Sequence, residues 1–215
     1  MKEKQLASIG IALAICISAG LGAMFVFTDI YHEIKSTIVE VVCLSCLKLN
    51  PKTTMDFTFD TANGQMHPDF ILENLTKGPI FLHYSEDACS ACDVMFPILE
   101  DFFNIDLQKE KSNYQITSYN NQTVPYLYIY LDDKSTPINW LNTFDIYDKD
   151  HIQGLPMFTV ISLGYEHGGD IIPYYTTLYG AFKDNYEQRI HLLTELMDEA
   201  YSLYNENKIG FDNQN

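Results

Sequence analysis

The chain contains 215 residues, of which 13 are basic and 29 acidic, and its formal net charge is −16 at pH 7. Hydrophobic residues make up 47% of the chain and aromatic residues 13%, which supports a packed core and excludes an intrinsically disordered protein. Such an acidic excess leaves no basic patch for a phosphate backbone, so we expect no nucleic-acid partner.

The N-terminal segment is apolar enough to enter a membrane. Residues 6–27 carry no charged side chain, and this length crosses a hydrocarbon core of about 30 Å as a helix. Lysines precede the segment and acidic residues follow it, so the positive-inside rule predicts a cytoplasmic N-terminus. We therefore expect a single-pass cell-membrane protein with a transmembrane anchor at 1–28 and an extracytoplasmic remainder. A cleaved signal peptide is the alternative, although the apolar run continues beyond the small residues at 19–23.

Residues 29–54 form a predicted juxtamembrane segment that contains the pair Cys43 and Cys46. Three interpretations stay open for this pair. The pair is either a second redox pair, or a structural disulfide, or half of a four-cysteine zinc module. An extracytoplasmic location permits disulfides. The zinc pattern is recognised, but the separation from Cys46 to Cys89 is longer than a compact zinc ribbon uses. We therefore expect no metal site.

Residues 55–205 are predicted to form one α/β domain, followed by a frayed polar tail at 206–215. Segments with the apolar patterns of strands alternate here with segments that have helical spacing. They predict strands at 55–60, 79–84, 126–131, 157–163 and 171–179 and helices at 68–77, 89–103, 140–147 and 185–204. Residues 105–123 are polar and are interpreted as a loop, and Pro173 is expected to keep its strand at the sheet edge. This order predicts a central mixed β-sheet with helices on both faces.

The most informative motif is Cys89-Ser90-Ala91-Cys92, which lies where a predicted strand leads into a predicted helix. A thiol at a helix N-terminus meets free backbone N–H groups and the positive end of the helix dipole, so its pKa can fall from about 8.5 to roughly 3.5–7.5. The second thiol lies one turn further along the same face. The spacing therefore predicts a nucleophilic thiolate at Cys89 and a redox pair. The alternative is a permanent disulfide, but so short a loop constrains the unfolded chain little.

Over roughly residues 55–204 the chain resembles the thioredoxin family. Three features carry the resemblance beyond the CxxC motif: Pro97, five residues after Cys92; Gly154-Leu155-Pro156 before an apolar strand; and Gly180 before the last helix. The resemblance implies a thioredoxin-like fold, thiol–disulfide exchange with protein thiols and disulfides, and no cofactor beyond the chain's own cysteines. The longer stretch between Cys92 and Pro156 departs from the family pattern.

The resemblance also implies roles for individual residues. Cys89 would be the attacking thiol and Cys92 the resolving thiol. Pro156, with a cis peptide bond, would face the disulfide and present the backbone of Leu155 to a partner's extended chain. A cis X-Pro bond is uncommon, at about 5–6% of such bonds in folded proteins, so this expectation is specific.

His83 occupies the position where thioredoxins keep a buried acid near the resolving cysteine. We consider it a candidate proton relay for Cys92, since the unperturbed pKa of histidine is about 6.5. The alternative is a strand residue that faces solvent or is satisfied in the core. Ala88 and Ser90-Ala91 also depart from the family, which keeps a tryptophan before the first cysteine and Gly-Pro between the two.

The sequence thus favours an extracytoplasmic thiol–disulfide oxidoreductase on a membrane anchor, whose direction of electron flow stays open. A membrane electron donor or acceptor is a further expected partner. The alternatives are a thioredoxin-fold binding or scaffold module with a static disulfide, and the zinc module. Two carboxylate pairs, Asp132-Asp133 and Asp148 with Asp150, are interpreted as solvated turns.

Overall fold

The computed structural model describes residues 56–62, 64–165 and 170–212, and within these ranges it contains four helices and five strands. In chain order the elements are α1 (Asp69–Leu75), β1 (Ile80–Ser85), α2 (Ser90–Phe103), β2 (Asn113–Tyr119), β3 (Gln122–Tyr130), α3 (Ile138–Tyr147), β4 (Met157–Tyr165), β5 (Ile171–Tyr179) and α4 (Tyr186–Asp212).

The strands form one mixed sheet in the order β2-β3-β1-β4-β5. Strands β1 and β3 run parallel, with Leu82 opposite Leu127, whereas β4 lies antiparallel to both β1 and β5. Tyr84 pairs with Met157, and Met157 pairs with Tyr179. The end of β1, the start of β4 and the end of β5 therefore meet at one edge of the sheet, which we call the site edge.

Strand β1 lies at the centre of the sheet, and all six of its residues are buried. Its side chains alternate between two hydrophobic clusters. Phe81 packs in the cluster that contains residues of α2 and α4, whereas Leu82 and Tyr84 belong to the cluster that contains residues of α1 and α3. A strand covered on both faces has a continuous apolar sequence, and this agrees with the predicted buried run at 79–84.

Helix α2 begins directly after Cys89 and ends at Phe103, and its C-cap residue Asn104 has a left-handed backbone conformation. One face of the helix is buried, and its members recur at helical spacing: Cys92, Met95, Phe96, Ile98, Leu99 and Phe103. Pro97 lies inside the helix and is exposed. The packing of the apolar face against the sheet fixes where the N-terminus of α2, and with it the CxxC motif, is placed.

The polar stretch 105–123 is not only a loop as predicted, because it contains the edge strand β2. Strand β2 pairs antiparallel with β3, and Tyr119 lies opposite Gln122 across a two-residue turn. Both turn residues, Asn120 and Asn121, have positive φ angles of 49° and 62°, as a type I′ hairpin turn requires. The Asn-Asn pair was the signal for this hairpin.

The predicted strand at 55–60 is wrong within the described residues, since only one bridge is formed there, between Asp60 and Tyr175 of the edge strand β5. The predicted alternation is nevertheless present, because Phe57 and Phe59 are buried while Thr58 and Asp60 are exposed. The apolar side chains pack as in a strand, but the backbone does not continue the ladder.

The prediction of a frayed tail after Asn205 is also wrong, because α4 continues to Asp212. The buried Asn207 donates hydrogen bonds from Nδ2 to the carbonyl oxygens of Leu163 (3.2 Å) and Leu203 (2.8 Å). Phe211 is also buried, in the cluster with α1 and α3. The buried side of this turn contains the polar Asn207 and its exposed side contains the apolar Ile209, so the sequence shows no clear apolar pattern here.

No helix in the described part of the chain combines the length and apolar character that a membrane crossing requires. The predicted anchor at 1–28 and the juxtamembrane segment at 29–54, with Cys43 and Cys46, lie outside the described residues.

The end of α4 offers a test of its packing. Phe211 is 5% exposed and Ile209 is 77% exposed. We expect Phe211→Ala to lower the free energy of unfolding by about 3 kcal/mol, because it removes a buried ring and leaves a cavity. Ile209→Ala is the matched control and should change it by less than about 0.5 kcal/mol. Urea unfolding of the full chain measures both, and equal small effects would mean that this turn is not packed.

Candidate functional site

Cys89 and Cys92 form a disulfide, with an S–S distance of 2.04 Å and a Cα–Cα distance of 5.2 Å. Cys89 is the N-cap residue of α2, and its Sγ accepts a hydrogen bond from the backbone N–H of Cys92 at 3.1 Å. Cys92 is 3% exposed, whereas Cys89 is partly exposed. A partner's sulfur would therefore reach Cys89 first.

The turn that leads from β1 to Cys89 is fastened to the end of β3. The backbone N–H of Asp87 donates to Oδ2 of Asp132 at 2.8 Å, and the hydroxyl of Tyr130 donates to Oδ1 of Asp87. Ala88 completes the turn with a φ of 57°, a left-handed conformation that costs an L residue about 1–2 kcal/mol. Contacts with β3 thus hold the backbone in the conformation that places Cys89 at the helix start.

Two electrostatic effects oppose each other at Cys89. The N–H groups at the start of α2 favour a thiolate there, as does the helix dipole. Acidic side chains of Glu86, Asp87 and Asp93 lie close in sequence on either side of the motif, and a negative charge nearby favours the neutral thiol. Lys109 neutralises part of this charge, since its Nζ lies 2.7 Å from Oδ1 of Asp93 in an exposed ion pair.

The peptide bond between Leu155 and Pro156 is cis, as the resemblance implied. Pro156 is buried, and its carbonyl oxygen accepts a hydrogen bond from the backbone N–H of Gly180 at 2.7 Å. It directly precedes β4 and therefore lies at the site edge, where β1 leads towards Cys89. The fold brings the disulfide and the Leu155–Pro156 pair to the same edge of the sheet; their roles in exchange stay predictions.

His83 is fully buried in the face of the sheet that α2 covers. Its Nδ1 lies 3.0 Å from the hydroxyl oxygen of Tyr126, while its Nε2 is buried without a hydrogen-bond partner. The ring centroid lies 5.4 Å from that of Phe96, which is four residues after Cys92 in α2. Burial lowers the pKa of His83 to about 3, so the ring is neutral at physiological pH. The solvent-facing alternative is excluded, and the relay stays a prediction.

Asp148 is a residue that sequence reasoning missed. It was predicted to lie in a solvated turn, and this is wrong, because it is 2% exposed and its carboxylate accepts three hydrogen bonds. Two donors are backbone N–H groups four and five residues further on, a local pattern that acidic side chains favour. The third is the hydroxyl of Tyr179 on β5, which no local signal could reveal. Asp150, the other carboxylate of this predicted pair, is exposed.

Within the described ranges, no three residues among the histidines, cysteines and acids are grouped so as to hold a metal ion. Cys43 and Cys46 lie outside those ranges, so the four-cysteine zinc alternative stays an untested hypothesis.

No family model matches the chain, and no curated protein matches it at a significant level. A solved structure that it resembles is the thioredoxin from Aeropyrum pernix, at 14% sequence identity and a TM-score of 0.35, covering 69% of this chain and 99% of the other. The mixed five-stranded sheet with helices on both faces fits a thioredoxin-like fold. Independently of the fold, a disulfide with one partly exposed sulfur is chemically able to exchange with a thiolate.

The pH dependence of stability tests the burial of His83. Its pKa is lowered from 6.5 to about 3 in the folded chain, so between these values the unfolded chain binds the proton and stability falls as the pH falls. We expect the wild type to lose about 2 kcal/mol more than His83→Phe between pH 6.5 and pH 4.5, since one pKa unit corresponds to about 1.4 kcal/mol.

Urea unfolding at the two pH values measures this difference. Tyr126→Phe is the matched control, because it removes the hydroxyl beside Nδ1 and keeps the imidazole. It should retain the loss of stability seen in the wild type. Identical pH dependence in the wild type and His83→Phe would contradict a buried, neutral histidine.

Proposed function

We propose that this chain is a thiol–disulfide oxidoreductase that acts on protein disulfides through Cys89 and Cys92. The observation that carries the proposal is the disulfide at the N-terminus of α2, with Cys89 partly exposed and Cys92 buried. A disulfide with one accessible sulfur at a helix start suits exchange, because the leaving or attacking thiolate at Cys89 is stabilised by backbone N–H groups.

The exchange proceeds in two balanced steps. In the reducing direction, the Cys89 thiolate attacks one sulfur of a partner disulfide, the partner's S–S bond breaks, and one partner thiolate leaves. The Cys92 thiolate then attacks Sγ of Cys89, which breaks the mixed disulfide and releases the second partner thiolate. Two electrons pass to the partner, and the chain is left with the Cys89–Cys92 disulfide. The oxidising direction is the reverse and takes two electrons from a partner dithiol.

The direction of electron flow depends on the stability of the Cys89 thiolate. The hydrogen bond from the N–H of Cys92 stabilises it, whereas the neighbouring acidic residues destabilise it. A more stable thiolate makes the reduced form more stable and the disulfide a stronger oxidant, and about 30 mV corresponds to a tenfold change in equilibrium. Because the acidic residues offset part of the stabilisation of the thiolate, we expect the Cys89–Cys92 disulfide to have a less oxidising reduction potential than a disulfide at a helix start without acidic neighbours.

We place this activity outside the cell membrane, on a domain anchored by one N-terminal helix. The uncharged run at 6–27 and the lysines before it support this location. Protein thiols and disulfides are the proposed partners, and no cofactor is needed beyond the cysteines. Cys43 and Cys46 are proposed to exchange electrons with Cys89 and Cys92 or with a membrane electron donor or acceptor.

Trapping of a mixed disulfide tests the proposal. We define a two-cysteine chain as the full chain in which Cys16, Cys43 and Cys46 are changed to serine, so that only Cys89 and Cys92 react. In this background, Cys92→Ala should form a stable mixed disulfide with a disulfide-bonded probe protein such as insulin, because the resolving thiol is absent. Non-reducing electrophoresis and mass spectrometry of the linked peptides detect the adduct at Cys89.

Cys89→Ala in the same background is the control and should trap at least about tenfold less, since Cys92 is 3% exposed and a buried thiol is inert. Equal trapping by the two variants would contradict the assigned roles. Absence of trapping in both, together with a wild-type disulfide that resists dithiothreitol, would instead support a static disulfide in a binding module.

A further inference from the structure

The carboxylate of Asp148 fastens two segments of the site edge to each other. Asp148 caps the C-terminus of α3 and is 2% exposed. Its Oδ1 accepts hydrogen bonds from the backbone N–H of Ile152 (2.9 Å) and from the hydroxyl of Tyr179 (2.7 Å), and its Oδ2 accepts one from the backbone N–H of Gln153 (2.8 Å). One side chain therefore joins the loop that follows α3 to the end of β5.

The loop that Asp148 holds leads directly into Leu155 and Pro156. Its backbone has positive φ angles of 52° at both His151 and Gln153, a conformation that non-glycine residues adopt only when their surroundings enforce it. The two backbone N–H groups that donate hydrogen bonds to the carboxylate belong to Gln153 and to the residue before it. The hydrogen bonds thus hold the unusual backbone two residues before Leu155.

The backbone on the C-terminal side of Leu155 is also held in place. Tyr179 is the last residue of β5 and pairs with Met157, the first residue of β4. The next residue, Gly180, donates its N–H to the carbonyl oxygen of Pro156 at 2.7 Å. Leu155 therefore lies in a short span of backbone that is held on its N-terminal side by Asp148 and on its C-terminal side by β5, which Asp148 also contacts.

We propose that Asp148 is a positioning residue, which holds the backbone of Leu155 in the geometry that receives an extended segment of a partner protein. This inference rests on the proposed function, because it concerns how the same site binds a protein disulfide. Asp148 does not touch the reacting sulfur atoms. It acts through the backbone of Ile152 and Gln153, and so it should matter for protein partners and not for reagents small enough to reach Cys89 alone.

The chemistry of the contact requires a carboxylate. Burial raises the pKa of Asp148, but the hydrogen bonds from Tyr179, Gln153 and Ile152 outweigh it, and the pKa lies below its usual value. The side chain is therefore ionised at neutral pH and offers only acceptors to its three donors. An asparagine has the same shape but replaces one oxygen by an NH₂ group, which would oppose one of these donors. That donor would then be buried without a partner.

Kinetics with two substrates tests the role of Asp148. In the two-cysteine chain, Asp148→Asn is compared with Asp150→Asn, which removes the same charge two residues away at an exposed position. The first substrate is insulin, a protein disulfide, with dithiothreitol as the reductant that restores the Cys89 and Cys92 thiols after each turnover. The second is a small aromatic disulfide that needs only Cys89, and it is added to the pre-reduced chain in a single turnover. We expect Asp148→Asn to raise KM for insulin about tenfold with kcat nearly unchanged, because a misplaced binding segment weakens binding before it affects the sulfur chemistry.

The rate with the small disulfide should stay within about twofold of the wild type in both variants. Asp150→Asn should behave as the wild type with both substrates. Tyr179→Phe removes one of the three donors and keeps the charge, so its KM for insulin should lie between those of the wild type and Asp148→Asn. If Asp148→Asn does not fold, Tyr179→Phe decides the question by the same comparison.

Two outcomes would overturn the positioning role while leaving the proposed function intact. In one, Asp148→Asn and Asp150→Asn have the same KM for insulin. In the other, Asp148→Asn slows insulin and the small disulfide equally, which is the result of general damage to the fold. A wild-type chain that exchanges with neither substrate would overturn the proposed function, and the positioning role with it.

Discussion

The burial of β1 on both faces is the constraint on which the candidate site depends. Phe81 and His83 pack on the α2 side and Leu82 and Tyr84 on the other, so a shift of one residue would move every side chain into the wrong cluster. Pairing with β3 and β4 fixes the register from both sides. The chain therefore leaves β1 at one defined point, and the turn to Cys89 starts from there. The position of the disulfide is a consequence of core packing as much as of the CxxC motif.

The same constraint places a histidine where water does not reach it. Leaving Nε2 of His83 without a partner costs about 1–3 kcal/mol, which contacts with the rings of Phe96, Tyr128 and Phe158 offset. With a pKa near 3, charging this ring at pH 7 costs about 5 kcal/mol. A relay through His83 would then pass a proton without resting as imidazolium. This differs from a buried acid, which can hold the proton or release it.

The sequence predicted the parts of the fold whose signals are local. The buried run at β1 and the helix after Cys89 follow from short patterns, and the cis proline before β4 follows from the family resemblance; the structure has all three. The missed features depend on distant partners. Asp148 is joined to Tyr179 of the distant strand β5 by a hydrogen bond, and Phe211 in the last turn of α4 packs in the cluster with residues of α1 and α3. Strand β2 was missed for a different reason, since its side chains are polar and its Asn-Asn turn went unrecognised.

The acidic residues at the site edge have a structural reason that net charge alone does not reveal. Turns at the end of a sheet contain N–H groups with no strand partner, and here carboxylates accept them: Asp132 from Asp87, Asp133 from Ser112, and Asp148 from Ile152 and Gln153. Hydrogen bonding from Ser135 and Ser112 holds the pKa of Asp133 below its usual value, so this contribution to stability is present near neutral pH and is lost only as the pH falls below about 4. The loss of stability that His83 causes begins at a higher pH, because the unfolded chain takes up a proton at this residue as the pH falls from 6.5 to about 3 while the folded chain does not. Acidification therefore acts on the core beneath α2 before it releases the turns that carry the candidate site.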